Sequence, residues 1–185
     1  MKIRGDRECK SCGTRWSYYE TGNIDCPECG SVHSVGVDDR TEHTDSPVEL
    51  DLTPLRNRVD EVTTRELAGE VAEACREYTR KRGFIDAGEL QRLDKTFAAA
   101  TELAAVASAM TRDVRPSDAA ELYFLDLLAG ADTGERPGHE AVPDELRVPF
   151  GLAMADAVDS YQRDVRAALD DTPDAHARRL SGRIR

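Results

Sequence analysis

Lysine is nearly missing from this chain. Only Lys2, Lys10, Lys81 and Lys95 occur, so arginine supplies almost all of the 25 basic residues, against 36 acidic ones and a formal charge of −11. Long apolar runs are also missing. No stretch reaches membrane-spanning length without charge, and Met1 to Glu8 has no apolar core of the kind a secretory signal needs. A cytoplasmic protein with no membrane partner is expected.

Catalytic motifs are absent as well. The chain has no phosphate-binding loop, dinucleotide fingerprint, nucleophile elbow or His-Glu-x-x-His helix. None of the histidines, His33, His43, His139 and His176, stands three residues after a glutamate, which excludes the Glu-x-x-His pairs of a di-iron bundle. Carboxylates are so common that no pair stands out as acid and base. The expectation is a non-enzymatic protein with no evident small-molecule substrate. The Gly-rich loop 130–142 is the one irregular stretch among the helices where an active site would have room.

Against these absences stand two Cys-x-x-Cys pairs, Cys9/Cys12 and Cys26/Cys29, separated by residues 13–25. Each pair closes a tight chelating turn, and a hairpin between them would bring four thiolates onto one tetrahedral ion. Gly13 and Gly30 directly follow the second cysteine of each pair, where the chain must turn with positive φ beside sulfur. In a reducing compartment paired cysteines serve as metal ligands rather than disulfides. One structural zinc ion is expected, with iron as the alternative, since both metals accept tetrahedral thiolate sets. The fifth cysteine, Cys75, falls on the apolar stripe of a helix and reads as a small buried hydrophobe. Arg7, Lys10, Arg15, Trp16 and Tyr18 surround the ligands and are the candidates for contact with a partner. A protein partner is favoured, and nucleic acid is the second choice, because nearby cations also offset the negative charge of a four-thiolate zinc.

The pattern predicts a mainly α protein in which a small zinc ribbon, a β-hairpin with two knuckles, precedes a bundle of four to five helices. Residues 1–35 form the ribbon, with a strand over 14–19. Residues 36–53 are an acidic linker, read as solvated. The bundle covers 54–172, and 173–185 is a basic, flexible tail carrying Arg178, Arg179, Arg183 and Arg185. Within the bundle, Thr53-Pro54 opens a short helix through Val62, and Thr63 with Glu66 caps a helix that stops at Gly83. A third helix spans about 86–112, and a fourth starts at a capping box of Asp118 and Glu121, with Leu122, Leu125 and Leu128 inward. Pro149 kinks or splits the last helix, whose stripe is Met154, Val158, Tyr161, Val165 and Leu169.

The segments Arg7-Glu8-Cys9-Lys10-Ser11-Cys12-Gly13-Thr14-Arg15-Trp16 and Cys26-Pro27-Glu28-Cys29-Gly30-Ser31 resemble a transcription factor IIB-type zinc ribbon. The whole chain, including residues 35–40, resembles an uncharacterised haloarchaeal family described by that ribbon, and the aspartate-rich, lysine-poor composition is similar to halophilic proteins. About 130 residues of helices are too few for the paired cyclin-like repeats of a true initiation factor, so the resemblance implies metal binding and not initiation-factor activity; the ribbon with no catalytic constellation beside it leads to the expectation of a zinc-stabilised interaction module in transcription or another information-processing complex. The knuckles are also similar to rubredoxin-type iron modules, which makes electron transfer the alternative function. In molar salt the Debye length is only about 3 Å, so a partner must be held by close contacts.

Overall fold

Five short strands build the N-terminal part of the computed structural model, which describes residues 1–112, 115–171 and 173–182. They are β1 (Lys2–Ile3), β2 (Asp6–Cys9), β3 (Arg15–Ser17), β4 (Ser34–Gly36) and β5 (Thr41–Glu42). β2 is the centre of an antiparallel sheet ordered β3-β2-β4, and β1 pairs with β5. The register sets Arg7 opposite Trp16 on one side and Gly36 on the other. The hairpin thus differs from the one expected. Its turn is the first knuckle itself; one neighbour of the central strand, β3, comes from the segment that joins the two cysteine pairs, and the other, β4, follows the second pair.

The strand expected over 14–19 stops at Ser17. Tyr18–Thr21 forms a single helical turn, α1, closed by Gly22 at φ 61°, and the Thr21 hydroxyl donates to the Ser17 carbonyl at 2.9 Å. This turn carries Tyr18 and Tyr19 onto the buried His43, with ring centroids 6.3 and 4.8 Å away. The acidic stretch 36–53 is correspondingly not all solvated. It contains β5, His43 and the fully buried Leu52, and Asp38 accepts the Gly5 N–H at 3.0 Å.

Among the described residues there are seven α-helices: α1, α2 (Thr53–Arg56), α3 (Thr64–Lys81), α4 (Lys95–Arg112), α5 (Asp118–Gly130), α6 (Arg147–Asp171) and α7 (Ala175–Ser181). The architecture is therefore mainly α, with the cysteine-bearing strands preceding the helices. None of the described helices is long and apolar enough to cross a membrane.

The chain divides into two compact units. One comprises Met1–Pro47, Arg82–Arg92 and the chain from Tyr161 on; the other comprises Val48–Lys81 and Leu93–Ser160. The first unit gains a hairpin of β6 (Ile85–Asp86) and β7 (Glu89–Leu90). A helix was expected to start at Asp86, but Ala87 and Gly88 both take positive φ, 48° and 88°. Two such residues in a row are the signature of a tight hairpin turn. In the same unit Asp164 accepts the Thr44 hydroxyl at 2.6 Å and the Phe84 N–H at 2.7 Å. Asp174 caps α7, and Gln162 Nε2 donates to the Ser181 carbonyl at 2.8 Å, so residues 175–181 of the expected tail are helical. Arg183 and Arg185 of that tail, and the helix end expected at Thr172, lie outside the described residues.

In the second unit α4 packs against α3 and α5. Thr63 caps α3 as expected: its Oγ1 accepts the Glu66 N–H at 3.2 Å. α3 turns Leu67, Val71, Cys75 and Tyr78 inward. α2 ends at Arg56 instead of running to Val62. α4 begins at Lys95, after Asp94 has capped the Phe97 N–H. The cap of α5 is Ser117 rather than Asp118. Its buried face is Tyr123, Phe124, Leu127 and Leu128, while Leu122 is exposed. Pro149 neither splits nor ends α6, because it lies in the first turn, where an N–H has no partner within the helix. On α6 the small Ala153 and Ala157 are buried while Leu152 and Val158 are exposed, so the buried face there is not the expected stripe of large residues.

Candidate metal centre

Two knuckles of the same design face each other. In the first, the Cys9 N–H donates to Thr14 O at 2.8 Å and the Gly13 N–H to Cys9 O at 3.0 Å; in the second, the Cys26 N–H donates to Ser31 O at 3.0 Å and the Gly30 N–H to Cys26 O at 2.9 Å. Gly13 and Gly30 sit at φ 78° and 67°. An added Cβ would meet nothing within 4 Å at either, so the glycines are there for backbone conformation rather than for space. Cys9 and Cys26 are buried and Cys12 and Cys29 exposed, a second correspondence between the knuckles. Ser11 Oγ and Ser31 Oγ, 3.0 Å apart, join them across the top.

The four Sγ atoms all lie within 4.8 Å of one another. Cys9 and Cys29 are 3.6 Å apart and Cys12 and Cys26 3.5 Å, much longer than a disulfide of about 2.05 Å. A tetrahedral ion with metal–sulfur bonds of about 2.3 Å sets its sulfurs about 3.8 Å apart. The cluster is close to that shape, and it could hold a metal ion.

Its electrostatics point the same way. The Cys9 thiol is lowered to about 6, chiefly by the Cys12 backbone N–H, with the Ser11 N–H also directed at its sulfur at 3.4 Å. Cys12 is lowered by its hydrogen bond to the Thr14 hydroxyl at 3.2 Å. Although the Ser31 N–H favours its thiolate, Cys29 is pushed up to about 12 by the Cys12 thiol, by desolvation and by Cys9 and Cys26. Four sulfurs this close cannot all ionise without a cation among them. A divalent ion removes that repulsion and drives off the remaining protons.

The chain belongs to the family of unknown function DUF7117. That family's model matches residues 1–185. No curated protein and no solved structure matches this member.

The residues expected to contact a partner are brought around the centre, but several are already engaged. Arg7 donates through Nε to Ser34 Oγ at 2.9 Å and through Nη2 to the Ser34 carbonyl at 3.4 Å, which fastens β2 to β4. Trp16 Nε1 donates to the Asn23 carbonyl at 3.0 Å, and Tyr18 leans edge-on against His43. Arg15 is exposed and pairs with Glu8 at 2.7 Å across β2 and β3. The Lys10 side chain is exposed and makes no ion pair among the described residues. Of the five, Lys10 and Arg15 are thus the exposed cations, and Arg15 is partly offset by Glu8.

Thr14, Ser11 and Ser31 are functional residues that the cysteine spacing does not reveal. The repeated order Cys-Gly-Thr and Cys-Gly-Ser, at 12–14 and 29–31, is the signal that marks two of them. Hydroxyl and backbone donors of this kind orient thiolate ligands and tune their basicity. Elsewhere, Cys75 is fully buried and pushed up to about 12 by desolvation, then by Asp132, which makes it an inert thiol. The loop 130–142 is pinned by Asp132, which pairs with Arg56 at 2.8 Å, and by Arg136 on Glu102.

Proposed function

We propose that Cys9, Cys12, Cys26 and Cys29 hold one structural zinc ion, and that this family member is a non-enzymatic, cytoplasmic interaction module of transcription or another information-processing complex. The observation that carries the reading is the convergence of all four thiols from two like knuckles. A site closed by four protein ligands leaves no position for substrate or water, which is the design of structural rather than catalytic zinc. The ribbon is too small to bury a core of its own, so zinc would supply most of its stability, on the order of 10–16 kcal/mol of apparent binding free energy. A protein is the favoured partner, because Arg7, Trp16 and Tyr18 serve the ribbon's own structure and leave few groups to track a phosphate backbone.

Metal analysis of protein purified from its native source tests the centre. The expected result is one zinc per chain and no colour. A red protein with iron that reduces reversibly would overturn it in favour of rubredoxin-like electron transfer. Affinity purification from native extract at high salt tests the partner: transcription or other information-processing proteins should be enriched with wild type and lost with Lys10→Ala, an exposed side chain that the ribbon's own structure does not use. Recovery of nucleic acid alone, released by Arg15→Ala, would replace the protein partner with a nucleic-acid one.

A further inference from the structure

The helical unit contains a cavity of about 520 Å³ between α3, α4 and the start of α6, within the size range of about 300–1,000 Å³ typical of small-molecule sites. Its lining is divided by chemistry. Phe97 and Ala104 form an apolar floor, and Val148 and Leu152, one turn apart on α6, form an apolar wall. Val148 and Leu152 are 70% and 61% exposed, so this wall is not covered by the rest of the chain.

Three guanidiniums line the same cavity, Arg76 and Arg80 one turn apart on α3 and Arg112 at the end of α4. In a chain with 36 acidic residues, none of the three makes an ion pair among the described residues, and Asp156 is the one carboxylate in the lining. Three of the lining hydroxyls offer little to a ligand's acceptors, because their protons are used inside their own helices, that of Thr79 on the Arg76 carbonyl of α3. Thr101 donates to the Phe97 carbonyl at 2.8 Å, and Ser108 donates to the Ala104 carbonyl. Ser108 Oγ also accepts from Arg76, which steadies that guanidinium along the cavity edge. The strong donors that remain are the arginines, whose planar forks match an oxyanion.

We propose that this cavity binds a small amphipathic oxyanion, a carboxylate or phosphate monoester with an apolar body. The head group sits on Arg80 and Arg112, with Arg76 beside them, and the body lies between Phe97 and the wall of Val148 and Leu152. Both halves are needed: apolar burial supplies affinity, and the arginines fix the orientation. Charge complementarity is what selects an anion. Bringing a negative head to three arginines that make no ion pair among the described residues relieves the repulsion of like charges gathered at one cavity.

Isothermal titration of the full chain with octyl phosphate and with octanoate tests the site, with inorganic phosphate and 1-octanol as controls. Saturable binding of one molecule per chain is expected for at least one of the two amphiphiles, and preference between them identifies the head group. Each control should bind at least about tenfold more weakly, since it lacks one half of the recognition. The double variant Arg80→Ala/Arg112→Ala should lose about tenfold or more in affinity. Val148→Asp, at a position too exposed to threaten folding, should weaken the amphiphile by a similar factor. Absence of saturable binding by both amphiphiles, or affinities unchanged in both variants, would overturn the proposal.

Discussion

Arg136 Nη1 lies 2.6 Å from Oε2 of Glu102, a side chain with no solvent exposure. The other carboxylate oxygen accepts the Tyr123 hydroxyl. A charge buried in a bundle is tolerated only when paired and hydrogen-bonded, and here α5 and the loop after it supply both partners. Arg136→Ala should therefore destabilise the protein by about 3 kcal/mol, the low end for a broken buried pair, because the guanidinium is itself about a third exposed. Converting both residues together, Glu102→Leu with Arg136→Met, should recover most of that loss. Urea unfolding followed by circular dichroism measures both, and a single variant as stable as wild type would remove this role.

The glycines of the knuckles give a second prediction. At Gly13 the backbone is left-handed and the space around it open, so Gly13→Ala costs only the conformational strain of an L-residue there, about 1–2 kcal/mol. Because strain in the knuckle is carried by the metal-bound form, zinc affinity should fall by about tenfold or more. Gly13→Asn should fall less, since asparagine tolerates that conformation better. Competition against a chromophoric chelator reads both, and an unchanged affinity for Gly13→Ala would show that the turn relaxes without strain.

How far the fold was legible from sequence depends on the kind of signal. The Cys-x-x-Cys pairs and their glycines are local chemistry, and they specify the cluster because a chelating turn leaves the chain few alternatives. The Thr63 cap and the stripe on α3 are local too. The errors arise where tertiary pairing decides. Tyr18 has strand propensity, yet it leaves the sheet because Gly22 closes a helical turn and His43 offers its ring a place to pack. Asp86 reads as a helix start until the hairpin turn at Ala87 and Gly88 is recognised. On α6 the large apolar residues outweigh Ala153 and Ala157 in the periodicity, although the small residues are the buried ones. Glu102 sits in an alanine-rich helix with nothing nearby in sequence to mark it as buried, since Arg136 is far along the chain.

Asp164 supports a third prediction. Its Oδ2 accepts both the Thr44 hydroxyl and the Phe84 N–H, and Thr44 Oγ1 in turn accepts the Ile85 N–H at 3.0 Å. One carboxylate thus ties the segment around Thr44 to the residues that lead into the β6–β7 hairpin. Asp164→Ala should cost about 3 kcal/mol, because hydrogen bonds to a charged group contribute about 1.5–3 kcal/mol each and the two share a partner. Thr44→Val should cost less, and the double variant less than the sum of the two. Amide exchange at Phe84 and Ile85 should quicken in each single variant; protection as in wild type would show that the packing of Phe84 on Tyr161 holds the segment without the carboxylate.

The last prediction concerns acid. Asp174 holds its carboxyl below the ordinary aspartate range because it accepts the Ala177 and His176 backbone N–H groups, at 3.1 and 2.7 Å, as the N-cap of α7. A carboxylate whose folded pKa is depressed contributes its full stabilisation above the unfolded value of about 3.9 and loses it as the pH falls through the lower folded value. Helix α7 should therefore keep its amide protection down to about pH 4 and lose it below, if the rest of the unit is still folded there. Asp174→Asn keeps a capping oxygen without the charge, so it should leave the helix formed and flatten the acid dependence. Asp174→Ala should raise exchange across 175–181 at every pH. Direct carbon NMR titration of the Asp174 carboxyl decides the point, since a midpoint at or above the ordinary aspartate value would mean that the cap is not made in solution.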